Sequence, residues 1–297
     1  MKTCDKISGK SAHRGFLGIP LGVSLPYHIT RFAVQIAFFV FLPALFSAAF
    51  NGVKYLADQV SRHELIVWNP FIATLVALLA FTVIFGRFFC GYACAFGSLG
   101  DWLFACSAFL RKRAGKKVRG LPDKAVAALL YLKYLILIGV LAACFLNVYA
   151  SVSHADPWGL FASLRSGVFS VEGKAWAAVT LGLIAVGMVF VERFFCLFLC
   201  PMGAVFALLP LFPPLMFSRE KEECIPGCAQ CTKACPAAIS LGEPHSKYGD
   251  CFQCGKCAVK CPKGNVRQGV RALKGTEIWL VALKSAILFA LCYPIMN

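Results

Sequence analysis

Two copies of one short motif organise this sequence of 297 residues. Residues 87–97 read RFFCGYACAFG, and residues 193–203 read RFFCLFLCPMG. An arginine, two phenylalanines, two cysteines and a glycine therefore recur at a constant offset, which is 106 residues from Arg87 to Arg193. The sequence predicts two tandem units, and parallel repeats of this kind bring equivalent residues together around a pseudo-two-fold axis.

Long apolar segments dominate the composition. Hydrophobic residues make up 59% of the chain and charged residues 15%, with a mean hydropathy of +0.71, whereas soluble domains are about half apolar and about a quarter charged. Segments of about 20 apolar residues can cross a bilayer as helices. The sequence contains four of them, at 31–50, 70–89, 125–149 and 175–195. We therefore expect a mainly α protein whose residues 31–217 form a polytopic transmembrane bundle of two tandem two-helix repeats.

The basic residues predict the orientation of this bundle. Twelve lie in the N-terminal arm up to Arg31 and in the 111–124 loop, against four in the loops 51–69 and 151–174. Basic loops face the cytoplasm, so the arm 1–30 and the cysteine-rich C-terminal part are expected there, in a multi-pass protein of the inner (cytoplasmic) membrane surrounded by lipid. The net charge of +16 has the same origin, and no nucleic-acid motif accompanies it. We therefore expect no nucleic-acid partner.

A further apolar segment covers residues 276–296. It is just long enough to cross a bilayer, although Lys284 interrupts it; a lysine near a helix end can extend its amine to the interface. Two interpretations remain open, a fifth span and an amphipathic helix lying on the bundle.

Eight of the sixteen cysteines form two short runs near the C-terminus. One run is C-x3-C-x2-C-x3-C-P and the other is C-x2-C-x2-C-x3-C-P, the pattern of two-cluster bacterial ferredoxins, in which the fourth cysteine of each run binds the other cluster. Residues 218–263 are therefore predicted to form a small α+β ferredoxin domain with two [4Fe–4S] clusters. The expected ligands are Cys224, Cys228, Cys231 and Cys261 for the first cluster, and Cys251, Cys254, Cys257 and Cys235 for the second.

A zinc site or a disulfide framework fits these cysteines less well. Zinc sites use pairs of C-x2-C and have no need of the Cys-Pro ending or of crossed runs. Disulfide-rich secreted proteins are small and hydrophilic, unlike this chain. Clustered thiols in a reducing compartment therefore favour iron–sulfur clusters.

The cysteines of the repeated motif form two further pairs, Cys90 with Cys94 and Cys196 with Cys200. On a continuing helix, residues four apart lie on one face. We hypothesise that the four thiolates meet across the pseudo-two-fold axis and ligate an additional iron–sulfur centre at the cytoplasmic membrane boundary. The alternatives are a redox-active dithiol or disulfide pair and simple packing, because cysteine is often buried as a small apolar residue.

One outer-loop pair is a candidate for proton transfer. His154 and Asp156 lie close together in the 151–174 loop, and quinol oxidation needs groups that titrate near neutral pH. The alternative is that Asp156 caps a short helix before Pro157. No paired carboxylates, Ser/His/Asp set or phosphate-binding loop stands out, so no catalytic residue is assigned.

The combination of these motifs, from about residue 31 to residue 263, resembles the NapH-type membrane polyferredoxins, which are membrane components of quinol dehydrogenases related to MauN and to the membrane core of NosR. The resemblance implies a four-span bundle, two cytoplasmic [4Fe–4S] clusters, and electron exchange with quinone and with other redox subunits of ferredoxin, cytochrome or flavin type. Three departures stand out: Ala95 replaces an expected proline, the first ferredoxin run has one extra residue, and the tail 276–296 is additional.

These features lead us to expect an electron-transfer subunit of a quinol dehydrogenase-type oxidoreductase, which exchanges electrons between the quinone pool and redox partners within a larger complex. Two alternatives stay open. One is a redox sensor or an assembly and maturation factor for a partner metalloenzyme. The other is a subunit of an ion-translocating, flavin-linked complex.

Overall fold

The computed structural model describes residues 24–115, 123–149, 157–165, 175–209, 216–219, 222–239, 241, 248–268 and 277–296. These residues are mostly helical. The helices are α1 Ser24–Phe41, α2 Leu45–Ser61, α3 Pro70–Phe85, α4 Ala95–Arg113, α5 Asp123–Leu129, α6 Leu132–Phe145, α7 Pro157–Arg165, α8 Ala175–Phe190, α9 Pro201–Leu208, α10 Gln230–Lys233, α11 Lys256–Val259 and α12 Ile278–Met296. Two strands, β1 Phe217–Arg219 and β2 Val266–Gln268, complete the described elements.

The first predicted span is divided. Residues 31–50 belong to α1 and α2, whose axes are bent by 60° at the break between Phe41 and Leu45. Pro43 lies in this break. A proline removes one backbone donor and clashes with the preceding turn, so a single straight helix over 31–50 was the wrong expectation.

The other predicted spans are shorter than expected. The segment 70–89 forms α3, which starts where the Asn69 side chain accepts a hydrogen bond from the Ile72 amide at 2.9 Å and ends at Gly86, whose φ is 69°. The segment 125–149 is shared by α5 and α6. The segment 175–195 becomes α8, which ends at Phe190.

Helix α12 is the one described helix that is long and apolar enough to cross a membrane, judged by length and composition. The bent pair α1 and α2 adds a second if it counts as one span, while α3, α6 and α8 are shorter apolar helices. Large apolar side chains point away from the protein on several of them, such as Ile138 on α6, Leu183 on α8 and Trp279 on α12, each more than half exposed.

The tail helix packs on the bundle. Helix α12 contacts α1 and α3, and Lys284 in its middle is buried. The Lys284 amine lies over the rings of Phe85 and Phe88, at 5.7 and 5.8 Å from their centres. Lys284 therefore does not extend to an interface as the sequence suggested.

The cysteine-rich part is a small α+β unit. Strands β1 and β2 pair antiparallel, with Phe217 opposite Gln268 and Arg219 opposite Val266. The short helices α10 and α11 each carry the third cysteine of a run and contact each other. This unit extends to Gln268, five residues past the predicted boundary at 263.

Candidate iron–sulfur sites

The repeated motifs form two matching backbone turns. Phe89–Ala93 and Phe195–Leu199 are π-helical turns, closed by hydrogen bonds from Cys94 N to Phe89 O and from Cys200 N to Phe195 O, both at 2.9 Å. Each turn then breaks into an extended residue, so the helix does not continue through either cysteine pair as the sequence suggested. Wide turns of this kind are frequent at functional sites.

The second cysteine of each pair caps the helix that follows. Cys94 precedes α4 and Cys200 precedes α9, with ψ angles of 123° and 113°. The Cys200 sulfur accepts a hydrogen bond from the Gly203 amide at 3.2 Å. A helix N-terminus stabilises negative charge, and it therefore favours the thiolate form that metals need. Ala95 and Pro201 occupy the same helical position, so the missing proline leaves this geometry intact.

The four cysteines of the two motifs form one buried group, which we call the thiol quartet: Cys90, Cys94, Cys196 and Cys200. Each is at most 5% exposed. They lie within electrostatic range of one another, because burial and the charges of Cys196, Cys90 and Cys200 all raise the pKa of Cys94. The structure therefore brings together the residues that the repeat predicted would meet.

One arginine of the quartet region is fully paired. Arg193, which is buried, donates to the Asp101 carboxylate at 3.0 Å through Nε and at 2.5 Å through Nη2. Its other hydrogen bonds go to the carbonyl oxygens of Cys90 and Gly91. Arg31 also donates to Asp101, at 2.6 Å. Burial alone would raise the pKa of Asp101, but the two guanidinium groups outweigh burial and hold it well below its usual range.

The equivalent arginine in the other repeat is paired differently. Arg87 Nη1 donates to the Asp250 carboxylate at 3.0 Å and to Gly249 O at 3.3 Å, and the Lys133 amine also donates to Asp250. Within the described part of the chain, Arg87 Nε and Nη2 have no hydrogen-bond partner although Arg87 is fully buried. Arg87 lies within electrostatic range of Cys90, Cys196 and Cys200.

Two further charged residues form ion pairs with the cysteine-rich unit. Lys133 is fully buried against Asp250, and Glu192 forms an ion pair with Lys256 of the cysteine-rich unit. Their partners come from a different part of the chain, and hydropathy along one segment cannot reveal such pairs.

Charge is unbalanced around the quartet. In the described structure, Asp101 and Asp250 are shared by four buried cations, which are Arg31, Arg87, Arg193 and Lys133. Three of these cations, Arg87, Arg193 and Lys133, lie within electrostatic range of quartet cysteines. Buried charge is costly unless it is compensated. An iron–sulfur centre bound by four thiolates carries net negative charge and would compensate the surplus, but two disulfides would not. The donor set therefore fits a metal–thiolate centre.

The cysteine-rich unit contains two cavities. The first has about 370 Å³ of empty space, and four of its lining residues are Cys224, Cys228, Cys231 and Cys261. Arg219 Nη1 donates to the Cys231 sulfur at 3.2 Å, and Asn265 N donates to the Cys261 sulfur at 3.3 Å.

The second cavity is equal in size, with about 370 Å³ of empty space. Its lining includes Cys235, Cys251, Cys254 and Cys257. Burial raises the pKa of Cys251 to about 12 and that of Cys235 to about 11. Without a cation these thiols stay protonated at neutral pH, so iron would have to displace protons on binding.

The cysteines of the two cavities are not arranged around a single ion. In the described residues, no group of three or more His, Cys, Asp or Glu side chains converges closely enough to hold a single metal ion. A single zinc needs all its sulfurs at about 2.3 Å from one point. A cubane of several irons holds its cysteines farther apart, so the four-cysteine linings fit a cluster better than zinc.

Some functional candidates lie elsewhere. His154 and Asp156 are outside the described residues. Sequence reasoning missed Asp101 and Asp250, the two acids that neutralise the arginines. Asp101 had a signal, because it lies in an otherwise apolar stretch shortly after the first motif; Asp250 had none beyond its position next to Cys251.

Comparison with known proteins adds an independent view of the repeats. A family model described as a 4Fe-4S binding domain matches residues 68–117 and 173–215. These two matches contain the thiol quartet, one pair in each, and not the two C-terminal cysteine runs. No solved structure matches the chain.

Several curated proteins are similar over most of the chain. An uncharacterized protein of Methanocaldococcus jannaschii is 28% identical over 213 residues, covering 71% of this chain and 76% of the relative. The ferredoxin-type protein NapH of Haemophilus influenzae is 24% identical over 217 residues, covering 68% and 70%. The methylamine utilization ferredoxin-type protein MauN of Paracoccus denitrificans is 24% identical over 250 residues, covering 82% and 74%. The resemblance to NapH-type proteins, a group of iron–sulfur electron-transfer proteins, is thereby confirmed.

Proposed function

We propose that this chain is a membrane-bound electron-transfer subunit that connects the quinone pool with redox partner proteins. One observation carries the proposal. Each cavity of the cysteine-rich unit is lined by three cysteines of one run and the fourth cysteine of the other, which is the ligand crossing of two-cluster ferredoxins.

In this proposal the eight C-terminal cysteines hold two [4Fe–4S] clusters, which supply one-electron redox chemistry. The surrounding residues tune them. Arg219 and Asn265 donate hydrogen bonds to cysteine sulfurs of the first cavity, and Gln253 donates to Cys251 in the second at 3.8 Å. Such donors stabilise the additional negative charge of the reduced state.

The thiol quartet is proposed to hold a further iron–sulfur centre. The surplus of buried cations supports this assignment, and so do the unused N–H groups of Arg87 beside Cys90 and Cys196. The sulfur atoms of a centre at the quartet would accept hydrogen bonds from these N–H groups of Arg87. A dithiol or disulfide pair would leave both the charge and the donors uncompensated.

The topology belongs to the proposal as well. We place the apolar segments of the two repeats across the inner membrane, with the N-terminus and the ferredoxin domain in the cytoplasm and α12 as a fifth span. The exposed apolar side chains on α6, α8 and α12 support a lipid environment, because such large exposed apolar surfaces are rare on soluble monomers.

A pocket at the predicted outer end of the bundle is our candidate quinone site. It has about 910 Å³ of empty space including its open mouth, and Lys54, Tyr55, Asp58 and Tyr149 are among its lining residues. The Lys54 amine donates to the Tyr149 hydroxyl at 3.3 Å. Polar groups that converge on an aromatic-walled pocket suit a flat ring with two oxygen atoms. His154 and Asp156 follow Tyr149 closely in the sequence, and we keep them as candidate proton acceptors.

Aromatic side chains connect this pocket with the quartet. Lys54 lies over the Phe50 ring at 4.9 Å. The Phe50 and Trp158 rings are 5.6 Å apart, and so are those of Trp158 and Phe195. Phe195 immediately precedes Cys196, so a continuous packed path runs from the pocket to the quartet.

Iron counting tests the number of centres. Protein purified without oxygen should contain about ten to twelve irons per chain if the quartet holds a centre and about eight if it does not. Replacing Cys90 and Cys196 together by serine should lower the iron content and leave the two ferredoxin signals in the electron paramagnetic resonance spectrum. The matched control replaces Cys144 and Cys292, and equal iron loss in both double variants would contradict the assignment.

Quinol addition tests the quinone proposal. A short-chain quinol should reduce the clusters of the wild-type protein, and Lys54→Met with Tyr149→Phe should weaken quinone binding measured by calorimetry. Clusters that stay oxidised in the presence of quinol, while dithionite reduces them, would overturn this part of the proposal.

A further inference from the structure

One phenylalanine lies at the junction of the two repeats and the ferredoxin domain. Phe252, between Cys251 and Cys254, is buried and lines the second cavity. Its ring centre is 4.9 Å from Cζ of Arg87 and 5.0 Å from Cζ of Arg193. These two arginines hold equivalent positions in the two repeats, so the ring lies between the repeats near their pseudo-two-fold axis.

The same two arginines also lie beside the thiol quartet. Arg193 donates to the carbonyl oxygen of Cys90, and Arg87 is within electrostatic range of Cys90, Cys196 and Cys200. Gly91 makes the close approach of the turn feasible, because a Cβ at this position would overlap Phe252 O. Phe252 and the two guanidinium groups therefore connect the surroundings of the quartet with the second cavity.

The backbone beyond Phe252 is also fixed to the bundle. The Tyr27 hydroxyl of α1 donates to Cys254 O at 2.8 Å and forms a short hydrogen bond with the Tyr92 hydroxyl. Both cavities are lined by residues of the ferredoxin domain, but Phe252 and Cys254 of the second also contact the bundle. Lys263, at the edge of the first cavity, is exposed. The second cavity is thus the one next to the repeats, and the first lies on its far side.

We infer that electrons pass between the membrane repeats and the ferredoxin domain at Phe252, so that the second cavity is next to the quartet in the electron path and the first cavity is the outlet toward the partner. The inference rests on the proposed function. An iron–sulfur centre held by the quartet and a cluster held by the cysteines of the second cavity would exchange single electrons, with no bond formed or broken and no proton moved. Phe252 and the two guanidinium groups would form the packed contact between them. Electron transfer slows steeply with distance, and this packed ring provides the short route.

Electron paramagnetic resonance of the fully reduced protein tests the order. Neighbouring paramagnetic centres broaden each other's signals and speed their relaxation. We expect the interaction on the quartet signal to be lost in Cys257→Ser, which removes the second cluster, and to remain in Cys231→Ser, which removes the first. Loss in Cys231→Ser with retention in Cys257→Ser would overturn the inference while leaving the proposed function intact. Absence of any quartet signal in wild-type protein that contains about eight irons would overturn the inference and the membrane centre together.

A matched pair of variants tests the ring itself. Phe252 and Phe217 are equally buried and both line the second cavity, but Phe252 is the one that lies between Arg87 and Arg193. After flash photoreduction of the ferredoxin clusters, Phe252→Leu should equilibrate more slowly with the quartet than wild type, and Phe217→Leu should not. Equal equilibration rates in wild type and in folded Phe252→Leu would contradict a role of the ring in electron transfer.

Discussion

The two repeats hold the same arginine in the same place but neutralise it in different ways. Arg193 pairs with Asp101, an acid of the other repeat. The position equivalent to Asp101 in the second repeat is Ala207, and Arg87 pairs instead with Asp250 of the ferredoxin domain. A Cβ on Gly249 would lie 2.5 Å from Ala207 O, so this turn of the ferredoxin domain packs against the backbone of the alanine.

A second asymmetry accompanies the first. Gly91 in the first repeat corresponds to Leu197 in the second, and the backbone of Phe252 lies where a side chain at position 91 would be. The two differences together show how a near-symmetric bundle accepts a single partner domain. The second repeat lacks a carboxylate at position 207, and the first repeat lacks a side chain at position 91. Asp250 and the backbone of Phe252, both in the ferredoxin domain, take their places.

The largest effect is expected at Arg193, whose carboxylate partner Asp101 comes from the repeats themselves. Asp101→Asn leaves Arg31 and Arg193 buried without a carboxylate, and breaking a buried ion pair by removing one partner costs about 3–5 kcal/mol. Thermal unfolding in detergent should show a large loss of stability. The control is Asp58→Asn, which removes a more exposed pair with Arg62 and should cost about 0–1 kcal/mol. Similar melting of the two variants would contradict the buried network.

A smaller effect is expected at Arg87, whose carboxylate partner Asp250 comes from the ferredoxin domain. Asp250 accepts hydrogen bonds from Arg87 and Lys133 beside a cavity lined by Tyr131 and Ala207, where water can compensate part of the loss. Asp250→Asn should therefore cost about 1.5–3 kcal/mol and make the ferredoxin domain more sensitive to protease.

A second substitution can restore the symmetry. Ala207→Asp places a carboxylate at the position equivalent to Asp101, and the cavity of about 560 Å³ beside it has room for the side chain. In the Asp250→Asn background it should recover part of the stability by pairing with Arg87. An additive loss in the double variant would show that position 207 cannot take the role of Asp101.

The next largest effect on stability is expected for the difference between Gly91 and its equivalent Leu197. Gly91→Ala forces a Cβ against Phe252 O, and overpacking of this kind costs about 1–3 kcal/mol. Gly139→Ala on α6 meets nothing within 4 Å and should be neutral or stabilise by about 0.4–1 kcal/mol. Melting temperatures of both variants check the difference, and equal shifts would mean that the ferredoxin turn does not press on position 91.

The smallest effect is expected for a cysteine that only one repeat contains. Cys106 on α4 is exposed, and its equivalent in the second repeat is Phe212. Cys106→Ser should change stability by less than about 0.5 kcal/mol and leave the iron content unchanged. Iron loss in this variant would show that the quartet is not the complete thiol set of the membrane part.

The sequence could predict cysteine groupings because ligand spacing is a local property, and the role of these cysteines as cluster ligands stays a prediction. The two runs indicated which four thiols would surround each cavity, and the repeat indicated that Cys90 and Cys196 would meet. Hydropathy predicted the apolar segments but not their ends, because it gave Pro43 and Gly86 no weight against their apolar neighbours. A proline interrupts the backbone whatever surrounds it.

Pairs between distant segments could not be predicted in this way. Lys133 and Asp250 are 117 positions apart in the sequence, and no pattern within either segment points to the other. The same holds for Glu192 and Lys256. Charged residues in apolar surroundings were the available signal, and they indicate that a partner exists without identifying it.

The alanine at position 207 also has a consequence for biosynthesis. Ribosomes make the chain from its N-terminus, so both repeats are complete before Asp250 and Phe252 leave the exit tunnel. During this interval the Arg87 guanidinium lacks the Asp250 carboxylate, and the Phe252 backbone does not yet cover Gly91. The two repeats therefore complete this part of their surface only with residues that are synthesised later.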